Sequence, residues 1–278
     1  MMKDLQANFE EMRYGIMRET LDAIEESFQL FGIDFYLIGA FARDMWMNHL
    51  EYLPVRRATL DIDFSIYIND HNQFRELKRY LVQNKQFKED SEPYRLYSAS
   101  NQIIDLIPFG GIENNSMVDL DGNPPISLSV FGNAQVLSHA SNVKSNNGNF
   151  KICTLPGLCI LKLVAGDEKP ERRPKDFADF FYILENYFEI AGETLFDAAY
   201  EDLIEEDFQP AIVSAKILGR QIKDIINDQL ELKERIIKVI EKFKEGFDDN
   251  EIDAMYNYDK KDAKIFRFKL ISSLVAEI

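Results

Sequence analysis

The chain has 278 residues, 46% of them hydrophobic and 12% aromatic, which suffices for one large domain or two smaller ones and excludes a disordered chain. A formal net charge of −16 argues against a broad nucleic-acid surface, which would neutralise phosphates with Lys and Arg, though it leaves room for a local basic groove. Two cysteines, Cys153 and Cys159, and three scattered histidines give neither zinc-ligand spacing nor a disulfide framework, so a reducing compartment is expected.

The first segment, about Leu5 to Leu30, reads as one helix, with Met12, Ile16, Leu21, Ile24 and Phe28 at helical spacing. Its charges (Glu10, Glu11, Arg13, Arg18, Glu19) interrupt any signal-peptide core, and no run is long enough to span a bilayer, so no membrane partner and a cytoplasmic location are expected. Phe35 to Ile38 reads as a short buried strand, and Gly39-Ala40 turns the chain into a helix over Phe41 to Leu50. Arg57 to Ile68 reads as a strand, followed by a helix that Asp70 caps and that runs to about Asn84. Tyr94–Ser98 and Gln102–Ile107 are further strands, and Phe109–Pro125 reads as a polar loop. Strands are expected again at Ser127–Val130, Ala134–Leu137 and Phe150–Thr154, with a Ser/Asn/Gly turn over Asn142–Asn149. Beyond Pro156 the pattern is helical: Gly157–Ala165, Lys175–Tyr187, Thr194–Glu206, Pro210–Asn227, Leu230–Phe243 and Ala263–Ala276. The chain therefore divides near residue 155 into a mixed part and a helical part.

The chemistry concentrates in the strand from Arg57. Alternation puts Leu60, Ile62, Phe64, Ile66 and Ile68 on one face and Arg57, Thr59, Asp61, Asp63, Ser65 and Tyr67 on the other. Asp61 and Asp63 then project side by side, where like charges repel unless a cation intervenes, and hard carboxylate oxygens suit magnesium. A lone Asp-x-Asp is weak evidence; its company strengthens it. Gly39 sits where a strand meets a helix, so backbone can approach a ligand closely, and the helix N-terminus favours phosphate. Arg43 in the first turn can add a bidentate phosphate contact. Asp105 stands in the aliphatic strand Ile103-Ile104-Asp105-Leu106-Ile107, costly unless coordinated or paired, for which Arg95 is a candidate. Lys162 is the only charge in 157–166, and either a phosphate or an acidic side chain such as Asp176 would satisfy it. Asp176, taken alone, reads more readily as a helix cap flanking the Phe177, Phe180, Phe181, Leu184, Phe188 stripe, with Lys175 and Asp179 further round. The Lys162–Lys175 stretch, with Lys169, Arg172 and Arg173, divides evenly between a basic groove and a solvated loop. No P-loop, dinucleotide fingerprint or nucleophile elbow is present, Phe109-Gly110-Gly111 reads as a turn, and Trp46 reads as packing.

Together, the Gly39-Ala40 turn, Arg57-Ala58-Thr59-Leu60-Asp61-Ile62-Asp63, Asp105, Lys162 and Arg172-Arg173-Pro174-Lys175-Asp176-Phe177-Ala178-Asp179 resemble the DNA polymerase β-like nucleotidyltransferase superfamily. More specifically they resemble the AbiEii/AbiGii-type toxin nucleotidyltransferases, over about residues 31 to 188. The resemblance implies an α+β fold: a nucleotidyltransferase-like mixed β-sheet flanked by helices in a domain at 1–155, then a C-terminal helical domain at 156–278. It implies Asp61, Asp63 and Asp105 as ligands of Mg2+, a pair of ions clamping the attacking hydroxyl and the leaving pyrophosphate, with Asp105 as base. Lys162 and Asp176 join the catalytic set, and Gly39, Ala40, Arg43, Arg57 and Lys162 the nucleotide-binding set. Many active relatives carry Ser where Ala40 stands, so a hydroxyl contact to the terminal phosphates is missing here, which implies either a lower triphosphate affinity or compensation by Arg43. Glu113, in a loop, is a poorer third carboxylate.

The activity so implied is transfer of NMP from an NTP to an acceptor, RNA such as a tRNA 3′ end or a protein, as the toxin of a toxin–antitoxin or phage-defence system with an antitoxin partner. Two alternatives stand beside it: a catalytically weak nucleotide-binding module, and a transferase acting on a small molecule of aminoglycoside type.

Overall fold

A computed structural model of the chain describes residues 2–14, 17–47, 61–168, 174–204, 208–244 and 260–278. Two compact units divide it, Met2–Thr154 and Leu155–Ile278.

The first unit opens with α1 (Met2–Tyr14) and α2 (Arg18–Leu30), two helices where one is expected from the periodicity. β1 (Phe35–Ile38) leads directly into α3 (Gly39–Met47). Then follow β2 (Asp61–Tyr67), α4 (His71–Asn84), β3 (Lys88–Glu89), β4 (Arg95–Tyr97) and β5 (Ile103–Phe109). The expected strand start at Arg57 and the expected helix end at Leu50 fall outside the described residues. The Asp70 carboxylate does cap α4, accepting from Gln73 N at 2.9 Å.

From 109 to 152 the structure departs from the expectations in three places. β6 (Met117–Leu120) lies within the expected loop and pairs antiparallel with β7 (Ile126–Ser129) as a separate ribbon. Residues 134–137 are not a strand: they belong to α5 (Asn133–Ser138), entered through Gly132 at φ +90°. Six residues span too few turns for period 2 and period 3.6 to be told apart. The expected turn at 142–149 is largely a hairpin, β8 (Ser141–Ser145) with β9 (Gly148–Ile152), reversing between Ser145 and Gly148. β8 is polar because it is an edge strand, with Val143 as its buried residue.

Among the described residues the main sheet runs β3-β4-β5-β2-β1-β9-β8. It is mixed: β2 is parallel to β5 and β1 to β9, and the other pairs are antiparallel. Ile62, Phe64 and Ile66 are fully buried, as the alternation requires. Phe64 meets Phe28 of α2, Phe35 of β1 and Phe150 of β9 edge to face, at centroid distances of 5.7–6.0 Å, and Phe9 of α1 packs on Phe150. This aromatic cluster pins α1 and α2 to one face and thereby directs Asp61 and Asp63 to the other.

The second unit contains α6 (Leu155–Glu168), α7 (Pro174–Ala191), α8 (Pro210–Ile226), α9 (Leu230–Lys244) and α10 (Lys260–Val275). The expected helix at 194–206 is instead two 3-10 segments, Gly192–Phe196 and Ala198–Leu203. Short runs suit this tighter geometry, and Asp197 between them is extended at φ −67°, ψ 142°. α6 is apolar on most of its circumference, Lys162 excepted, until Asp167 and Glu168 at its end, and is accordingly buried, with Leu158, Cys159, Ile160 and Leu163 at 1% exposure or less. The Phe stripe of α7 closes on Phe243 of α9, with Phe177 and Phe181 at 5.1 and 5.0 Å. Arg267 of α10 is buried against Glu185 and the Phe181 ring of α7.

Candidate functional site

Strand register builds the carboxylate cluster. In the parallel β2–β5 pair Asp63 stands opposite Asp105 and Asp61 opposite Ile103, so the three acids share one face. Each of Asp61, Asp63 and Asp105 offers an oxygen within 4.8 Å of the others. Asp61 and Asp63 are half-buried, whereas Asp105 is buried at 5% exposure. Burial pushes the Asp105 carboxyl up from its ordinary range, against the opposing pull of the Arg95 guanidinium.

Arg95 supplies the countercharge. β4 runs antiparallel to β5 with Arg95 opposite Asp105, and the guanidinium grips both carboxylate oxygens, Nε to Oδ1 and Nη2 to Oδ2, each at 2.7 Å. Nη2 also stands 3.9 Å from Oδ2 of Asp61. The ion pair considered for Asp105 from the sequence is therefore present, and it sits inside the acidic cluster.

Gly39 forms the wall beside Asp63. Its φ is +74°, and a Cβ there would lie 2.9 Å from Asp63 Cγ and closer still to Oδ2. Ile38 pairs with Asp63 across β1–β2, so the turn and the carboxylate are neighbours by register. Only a residue without a side chain combines this backbone conformation with this approach. Ala40 follows in the first turn of α3. Arg43 is buried and donates to its neighbour Asp44 from Nε at 2.8 Å and Nη2 at 2.6 Å. Arg57 lies outside the described residues. Trp46 is packing, its indole donating to Cys153 O at 2.8 Å, and Glu113 accepts from Gly110 N at 3.3 Å in the turn after β5.

A second cluster forms within the helical unit. Lys162 of α6 meets Asp176 at 2.8 Å and Asp179 at 2.9 Å, both on α7. Burial alone would pull the ammonium down, but the Asp179 and Asp176 charges outweigh it and hold Lys162 above its ordinary value. Asp179, placed further round the helix by the sequence reading, is 8% exposed and shares the lysine with Asp176 because three residues on one helix bring side chains to one face. The structure thus joins Asp61, Asp63 and Asp105 in one cluster, and Lys162 and Asp176 in another.

The donor set of the first cluster fits a divalent cation of magnesium type: three carboxylates, all hard oxygen, converging from two adjacent strands beside a glycine turn. Residues 22–258 match a protein family described as "Nucleotidyl transferase AbiEii toxin, Type IV TA system". No curated protein matches the chain. Among solved structures, an antigenic nucleotidyltransferase-like protein from Paracoccidioides brasiliensis is similar over 78% of this chain and 91% of its own, with 12% identity and a TM-score of 0.38.

Proposed function

The chain belongs to the AbiEii nucleotidyl transferase toxin family, and on that premise we propose that it transfers NMP from an NTP to a hydroxyl of RNA, such as a tRNA 3′ end, or of a protein. The observation that carries this reading is the convergence of Asp61, Asp63 and Asp105 beside the positive-φ turn at Gly39. Asp61, Asp63 and Asp105 would hold Mg2+, one ion or a pair, which when bound neutralises charge on the attacking and leaving oxygens. The rest falls to the chain. Gly39 lets the backbone at the start of α3 approach the triphosphate, where free amide groups favour phosphate. Asp105, within reach of Asp63, accepts the proton of the attacking hydroxyl. That hydroxyl oxygen bonds to the α-phosphorus, the bond to the β-phosphate bridge breaks, and pyrophosphate leaves. Lys162, with Asp176 and Asp179 around it, is the second charged cluster of the proposal and is assigned a part in nucleotide binding and turnover.

On this reading residues 1–155 are the nucleotidyltransferase domain and 156–278 a helical domain. The natural setting is a toxin–antitoxin pair, with an antitoxin as the regulatory partner, in the cytoplasm. No described helix is long and apolar enough to cross a membrane.

A second reading, a nucleotide-binding module with weak turnover, is favoured by two features: both Asp105 oxygens are engaged by Arg95, and Ala40 supplies no hydroxyl to the phosphates. Pyrophosphate release from a mixed NTP pool, with magnesium and total RNA, separates the two. Release by the native protein and none by an Asp61→Asn/Asp63→Asn variant supports transfer; NTP binding with no release under any acceptor supports the module.

A further inference from the structure

Arg95 is no part of the carboxylate set, yet it stands within it. Its β4 position faces Asp105 directly, both Asp105 oxygens receive a guanidinium hydrogen bond at 2.7 Å, and Asp61 lies 3.9 Å from Nη2. The arginine side chain is 25% exposed and that of Asp105 8%, so the pair sits where charges are weakly screened. Without a cation the three acids repel one another, and Asp105 would be a buried charge with no partner, an arrangement that strongly destabilises proteins. With a divalent ion on Asp61 and Asp105, the guanidinium would lie a few ångströms from a second, stronger positive charge. The guanidinium and a bound ion would therefore draw on the same oxygens.

We propose that Arg95 is a resident counter-ion that holds Asp105 in register beside Asp61 and Asp63 in the metal-free protein and competes with the divalent cation for those oxygens. The inference rests on the assignment of Asp61, Asp63 and Asp105 as metal ligands made above. Arg95 is a positioning residue. It keeps the buried carboxylate aimed at the cluster before metal and nucleotide arrive, and it weakens metal binding in return. Linkage makes the two effects reciprocal: whatever Arg95 takes from metal affinity, metal takes from the stability Arg95 provides.

The test is Mn2+ titration by calorimetry on the full chain, with thermal midpoints measured in EDTA and in saturating Mn2+. Removing a unit positive charge beside the ion in Arg95→Gln is expected to tighten Mn2+ binding about tenfold. Its midpoint should fall below the native one in EDTA, and the gap should shrink in saturating Mn2+. Arg95→Lys, which keeps the charge but not the two-pronged grip, should bind Mn2+ with intermediate affinity, and it decides the matter by itself if Arg95→Gln does not fold. Mn2+ binding by both variants as weak as, or weaker than, that of the native protein overturns the proposal. An Asp61→Asn/Asp63→Asn variant separates the two levels: if it binds Mn2+ like the native protein, the metal-ligand assignment fails and the role of Arg95 fails with it. If it loses binding while the Arg95 variants match the native affinity, only the role of Arg95 fails.

Discussion

Gly39→Ala is the smallest change that tests how the site is built. Gly39 holds φ +74°, a region that costs an L-residue about 1–2 kcal/mol. The added methyl would lie 2.9 Å from Asp63 Cγ, so the carboxylate must swing aside by roughly an ångström, leaving its preferred rotamer at a further ~0.5–1.5 kcal/mol. The expected loss is therefore about 1.5–3.5 kcal/mol in urea denaturation. Gly32→Ala is the internal control: its φ is +62°, but nothing lies within 4 Å of its added Cβ, so it should lose only the ~1–2 kcal/mol of backbone strain. Function should separate the pair more sharply than stability. Displacing a reacting group by about 1 Å can cost on the order of 10²-fold in rate, so Gly39→Ala should lose Mn2+ affinity and pyrophosphate release while Gly32→Ala keeps both. Equal stability losses in the two variants, with Mn2+ affinity retained in Gly39→Ala, would refute the close approach of this turn to Asp63.

Asp61→Asn should abolish pyrophosphate release yet leave the thermal midpoint in EDTA unchanged or higher, because it relieves repulsion within the cluster; a clear fall in midpoint would mean Asp61 is structural. Lys162→Met removes the cation shared by Asp176 and Asp179 and should cost about 3–5 kcal/mol in urea denaturation, and a loss under about 1 kcal/mol would contradict the buried arrangement. Asp167 is held below its ordinary value: burial raises it, but Lys242 at 2.6 Å and Arg235 at 3.2 Å outweigh that. A depressed carboxyl stabilises the fold above its unfolded value of 3.8 and loses that contribution as pH falls through the folded one. The stability gap between native protein and Asp167→Asn should accordingly be full at neutral pH and shrink below pH 3.8; a gap independent of pH would sink the assignment.

Much of the architecture was legible because β2 obeys strict alternation. Ile62, Phe64 and Ile66 announce a buried face, and the acids fall on the other by parity. Asp105 was legible for the opposite reason, as a charge where an aliphatic strand should have none, and the same argument pointed to Lys162 and to its pairing with Asp176. The departures come where local pattern carries least. Asn133–Ser138 is too short for its period to declare itself, and Val136, its buried apolar residue, fits either periodicity. Ser141–Ser145 looks like turn sequence because an edge strand needs few apolar side chains, and its strand character comes from pairing with β9. The share of Asp179 in the Lys162 pair depends on how α6 and α7 cross, which no single helical wheel contains. The two-pronged grip of Arg95 likewise depends on β4–β5 register, although an arginine ten residues before a buried aspartate in a neighbouring strand was the available signal.

The central claim is nucleotidyl transfer at Asp61, Asp63 and Asp105. It is tested most directly by incubating the protein with each α-phosphate-labelled NTP, magnesium and total cellular RNA and protein, beside the Asp61→Asn/Asp63→Asn variant. The account predicts label in a discrete acceptor band with the native chain and none with the variant. Equal labelling by both, or no label in RNA, protein or small molecules with any NTP, would contradict it.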